Sequence, residues 1–329
     1  MSTFGTFAGR SAVVVALTCS LATIGGTAHA ATEVSACAGV PATGELTVQQ
    51  LPEGSQGRSC DLTGRVVVHG GVGVAIPAPG EQVMIEALRA DHAEGHTLSV
   101  AVTPEGDISY QLPEPEAGTT GESAVQASPG ACSDNVLLPK KHDVVYAYEW
   151  YIGDGGMPGA LSQANARTAF ADAINNITMG YNNCGIADTI DAHSDYIGTT
   201  TYEADITSST TCSDRDGKGT WDAGNLSSGV LAATCSWTTS SGSGWRSLVE
   251  ADVRYNTTDF DFTNSPSSSC SSLYDVRAVG THEAGHVFGL GHAPDSGHDN
   301  LTMAPTIDAC NTSDRTLGRG DMTALEAIY

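Results

Sequence analysis

One stretch near the C-terminal end constrains this chain more than any other: Thr281-His282-Glu283-Ala284-Gly285-His286-Val287-Phe288-Gly289-Leu290-Gly291-His292. A helix over 274–288 places His282 and His286 four residues apart on one face, where two imidazoles can reach one tetrahedral ion. Glu283 is next in sequence and can lean over that ion without binding it. Gly289 lets the chain leave the helix, because glycine takes the positive φ that ends helices at little cost. His292 can then fold back as a third ligand. Three neutral nitrogens leave a fourth position open for water, the arrangement of a catalytic rather than a structural zinc. Solvated histidines on an ordinary helix, or a non-catalytic metal clip, are the plain alternatives.

The rest of the chain bounds what such a site serves. With 329 residues, two domains are expected at roughly 150 residues each. There are 14 basic against 38 acidic side chains, a net charge of −24 that argues against nucleic acid or an anionic membrane surface as partner. Residues 1–30 read as a signal peptide: Arg10, an apolar run from Ala12, and Ala28-His29-Ala30 as the cleavage site. No stretch reaches the about 20 apolar residues of a membrane span, so a secreted, extracellular protein is expected. Val34-Ser35-Ala36-Cys37 resembles a lipobox but lies well beyond the apolar run. Without Cys19, eight cysteines remain, an even number that reads as disulfides in an oxidising compartment. Cys37 is paired with Cys60 in this reading, and the other six staple the second domain.

Between Gly64 and Leu112, short apolar runs such as 65–68, 82–86 and 98–102 alternate with Pro/Gly turns, the pattern of a small β-sandwich. It resembles the prealbumin-like (carboxypeptidase-regulatory-like) modules found beside secreted peptidases. Residues 113–131 are a Pro/Gly/Ser/Glu linker. The expected organisation is therefore a signal peptide (1–30), a β-sandwich module or pro-segment (31–112), a linker (113–131) and a second domain (132–329). In that domain a strand is predicted over 143–152 and a helix over 158–179. Further strands are expected at 200–207, 229–236 and 248–255, making an α+β fold.

His282-Glu283-x-x-His286-x-x-Gly289-x-x-His292 resembles the metzincin zinc-peptidase signature. Met303, in Leu301-Thr302-Met303-Ala304-Pro305, resembles the methionine of that family's turn beneath the metal. Met303-Ala304-Pro305 and the C-terminal segment 317–329 are most similar to the matrixins. The resemblance implies a zincin-like catalytic domain, with a twisted mixed sheet and an active-site helix. It also implies that Asp321 bonds the methionine turn, that 229–234 is the edge strand against which substrate lies, and that 249–256 is the strand before the helix. Gly320 stands where the matrixins carry the first of two acids. His193-Ser194-Asp195 has no matching set, so a second zinc is not expected. Cys37-Ala38-Gly39-Val40-Pro41 lacks the Arg and Asp of the matrixin cysteine switch and reads as half of a disulfide. Asp214-x-Asp216-Gly217-x-Gly219 is either a calcium loop or a solvated turn.

The resulting expectation is a zinc-dependent endopeptidase acting on proteins or peptides, most simply as a monomer. Zinc on His282, His286 and His292 supplies a nucleophilic water near neutral pH. Glu283 is its general base. Two alternatives stay open: an exported adhesin with the zinc region as scaffold, and an enzyme whose residues 31–130 are removed on activation.

Overall fold

Apolar alternation in the first half of the chain does produce strands, and what they pair with determines the site. The computed structural model describes residues 40–51, 60–90, 96–112, 130–240, 245–294 and 297–329. The expected signal peptide, Cys37 and most of the linker lie outside these residues. In chain order the strands are β1 (Leu46–Thr47), β2 (Val66–His69), β3 (Val72–Ala75), β4 (Glu81–Arg89), β5 (His96–Val102), β6 (Ile108–Gln111) and β7 (Ala147–Gly153). They continue with β8 (His193–Thr200), β9 (Thr211–Cys212), β10 (Gly219–Gly224), β11 (Val230–Ser240), β12 (Arg246–Asn256), β13 (Phe262–Thr263) and β14 (Tyr274–Asp275). The α-helices are α1 (Gln163–Thr178), α2 (Val276–Val287) and α3 (Arg319–Glu326).

One eight-stranded mixed sheet, in the order β6-β5-β4-β11-β12-β10-β7-β8, runs through the described residues. Its β12-β10-β7-β8 part is parallel, whereas β11 is antiparallel to both β12 and β4. A four-stranded sheet, β1-β2-β3-β9, packs on the other face of the β4–β5–β11 end. The architecture is α+β, with the N-terminal strands arranged as a sandwich. The second layer of that sandwich is not separate, however, because β4 pairs along β11 from Arg89–Val230 to Glu81–Thr239. The described residues all fall within one compact unit.

Alternation along β4 and β11 divides the interior into two cores. Val83, Ile85, Ala87, Val230, Ala233 and Trp237 face the small sheet. Leu88, Leu231 and Ala232 face α1 and α2, beside Phe170, Trp221, Val279 and Met303. Three disulfides, Cys132–Cys184, Cys212–Cys235 and Cys270–Cys310, use the six cysteines expected in the second domain.

Several expected boundaries move. The helix predicted from 158 starts at Gln163, where the Ser162 side chain accepts from Asn165 N–H (3.3 Å); residues 158–160 form a separate 3-10 turn. The strand predicted over 143–152 is β7, from Ala147. No strand forms over 201–207, because its amides are claimed by carboxylates: Ala204 N–H donates to Asp222 (2.8 Å) and Asp205 N–H to Asp252 (2.7 Å). In their place stand β8 and β10, both unanticipated.

Candidate metal centre and catalytic site

Helix α2 carries the His-Glu-x-x-His stretch, and its start is set locally. Asp275 caps it, accepting from Ala278 N–H at 2.8 Å, while Arg315 pairs with the same carboxylate. Two glycines fit the helix into its surroundings. A Cβ on Gly285 would lie 2.2 Å from Met303 Sδ, so only glycine lets the methionine turn pass beneath the helix. Gly289 has φ of +90°, and a Cβ there would lie 2.0 Å from the His142 carbonyl oxygen. The chain reverses at Gly289 and brings His292 back.

The three predicted imidazoles converge. His282 Nε2 lies 3.0 Å from His286 Nε2 and 3.2 Å from His292 Nε2, and the remaining pair is 3.1 Å apart. His282 Nδ1 faces Thr302 O at 2.8 Å and His286 Nδ1 faces Leu290 O at 2.9 Å. Those carbonyls assign the protons to Nδ1, so lone pairs on Nε2 point at one another. Such an arrangement is repulsive unless a cation sits among them, and the spacing suits three ligands on a zinc at about 2.0–2.1 Å. The residues present therefore fit the metal. Burial and the neighbouring imidazole hold His282 well below its ordinary pKa, which keeps it neutral and able to bind metal.

Glu283 is 0% exposed and lies on the same helix. Its Oε2 accepts from Thr234 Oγ1 at 2.6 Å, and its Oε1 is buried without a partner, available to a water. Burial pushes its pKa up to about 7, against the opposing pull of His286 and the Thr234 hydrogen bond. A carboxyl near 7 is suited to take and return a proton at neutral pH.

Below the helix, Met303 is fully buried under Gly285. Asp321, at the start of α3, accepts from Gly318 N–H (2.8 Å), Thr302 N–H (3.0 Å) and Met303 N–H (3.3 Å). It thereby fixes the turn whose Thr302 carbonyl orients His282.

Three neighbours of this site were not anticipated. Besides Thr234, Glu86 on β4 places Oε2 2.8 Å from His286 Nδ1, and Thr97 on β5 places Oγ1 3.4 Å from His292 Nδ1. Only the charged residue in the otherwise apolar run 83–88 signalled Glu86. A second acidic group, Asp205, Glu250 and Asp252, brings its oxygens within 4.8 Å of one another. The loop proposed for calcium reaches it, since Glu250 accepts from Asp216 N–H (3.1 Å) and Gly217 N–H (2.7 Å). Among the described residues, no helix is long and apolar enough to cross a membrane.

In a comparison with known families, the model of a peptidase family described as matrixin fits residues 163–329, just over half the chain. No curated protein matches.

Proposed function

The chain belongs to the matrixin family of metallopeptidases, and on that premise we propose that it is a secreted zinc-dependent endopeptidase with Glu283 as general base. The observation that carries this reading is the convergence of three Nε2 atoms within 3.0–3.2 Å beside a buried carboxyl. His282, His286 and His292 are the residues that would hold the zinc. When bound, zinc acidifies a water and polarises the scissile carbonyl.

Glu283 Oε1 takes the water's proton and afterwards returns it to the leaving amine. Thr234 holds Oε2 still, so the proton is handled at one oxygen. Thr302 and Leu290 carbonyls keep two rings turned with Nε2 inward, and Asp321 and Met303 hold the turn that supplies the first of these. The three disulfides support work in an oxidising, extracellular setting. Calcium is proposed at Asp205, Glu250 and Asp252, whose carboxylates are the hard oxygen ligands it takes.

Glu283→Gln keeps the shape and removes the base. Turnover of a peptide library by the peptide-cleaving form should drop about 10²–10⁴-fold with zinc content unchanged. Activity near that of the parent would refute the role.

A further inference from the structure

Resting on the peptidase reading above, the geometry points to strand β4 as a built-in occupant of the channel where a peptide must lie, so that the intact chain is latent. An extended peptide commonly binds by adding to an open strand edge. The strand edge beside the metal site is that of β11, whose Thr234 touches Glu283. That edge is taken along its length by β4, antiparallel, from Arg89–Val230 to Glu81–Thr239. Where the pairing of β4 with β5 ends, at Ala87–His96, its other edge turns to the segment following Met303. There Arg89 N–H donates to Pro305 O at 3.1 Å, and Ile307 N–H donates to Arg89 O at 3.4 Å. One extended strand is thus gripped from both sides over the site.

Its side chains complete the occupation. Thr234, Glu86 and Thr97 are cross-strand neighbours on β11, β4 and β5. They lie in turn against Glu283, His286 and His292. Leu88, two residues on from Glu86, is fully buried in the core with Met303. A substrate backbone and β4 cannot both hold the β11 edge.

Two features make this occupation reversible. The described disulfides all lie between Cys132 and Cys310, and none of them joins β4 to the elements it covers. Glu86 is 1% exposed, and its Oε2 shares the single His286 Nδ1 proton, 2.8 Å away, with Leu290 O at 2.9 Å. Release returns that carboxylate to water, while the carbonyls that orient His282 and His286 stay behind.

The test uses the zinc-loaded full chain, with a recognition sequence for an unrelated endopeptidase inserted between residues 120 and 121, and a zinc-chelating peptidic hydroxamate as probe. Cutting followed by release of the N-terminal fragment should tighten probe binding by about 100-fold, as expected if the open form is populated at about 1% beforehand. Leu88→Asp in the uncut chain should give a gain of the same direction without cutting, which covers failure of the separated C-terminal part to stay folded. A disulfide made by Met84→Cys with Ser236→Cys, a facing pair on β4 and β11, should hold the cut chain closed until reduced. Equal probe binding by cut and uncut chains, or full hydrolysis by an uncut chain of verified mass, would overturn latency while leaving the peptidase reading intact. Probe binding gained on release without any peptide hydrolysis would do the reverse.

Discussion

At Glu283 two small choices set the chemistry: burial raises the carboxyl toward neutrality, and Thr234 pins one oxygen. Thr234→Val preserves the shape and deletes that hydrogen bond. It should lower kcat roughly tenfold with zinc content unchanged, since one hydrogen bond to a charged group contributes about 1.5–3 kcal/mol. Unchanged kcat would mean that the helix alone positions Glu283. The ligands were legible because their chemistry is local: His282 and His286 recur at helical spacing, and Gly289 marks the return to His292. Thr234 and Glu86 were not legible as site residues, because only tertiary pairing brings β11 and β4 over α2.

Helix α2 shows the same division at the scale of elements. Its existence and register follow from spacing, and Asp275 and Gly289 mark its ends. Its fit over the methionine turn depends on Gly285, a residue that in isolation only weakens a helix. Gly285→Ala should destabilise the fold by about 1–3 kcal/mol and loosen zinc, because Met303 is itself buried and cannot swing clear. Thermal unfolding and zinc competition by a chelator read the two effects, and a variant as stable as the parent would show that the turn has slack. Among strands, β11 is readable from a buried apolar run, and β12 from the alternation of Ala251, Val253 and Tyr255 with polar residues. β8 is not, since His193–Thr200 is polar and mostly exposed or half-buried. The mistaken strand at 200–207 had β-type composition, but carboxylates of Asp222 and Asp252 took its amides.

Over the whole molecule, the pairing of β4 with β11 is the feature least visible in sequence: alternation predicts a strand and is silent on its partner. The acid excess has a consequence at the same scale. Burial and then neighbouring carboxylates push Asp205 up to about 7, burial drives Asp252 well above its ordinary value, and Glu250 is raised too. In the unfolded chain these groups titrate near 4. Between about pH 4 and 7 the folded state therefore binds more protons, and stability falls as pH rises through that window. Without calcium, the thermal midpoint of the parent should fall more steeply from pH 5 to pH 7.5 than that of Asp205→Asn. Millimolar calcium should restore the parent at pH 7.5. Identical pH slopes for parent and variant would contradict the assignment.

The claim on which the rest depends is that three imidazoles share one zinc with a working carboxyl beside it. Peptide hydrolysis by the processed form, followed through chelation and stepwise return of zinc, tests it most directly. Activity should vanish with the chelator and return in full at one zinc per chain, for the parent but not for His286→Ala. Hydrolysis that survives complete zinc removal would contradict it.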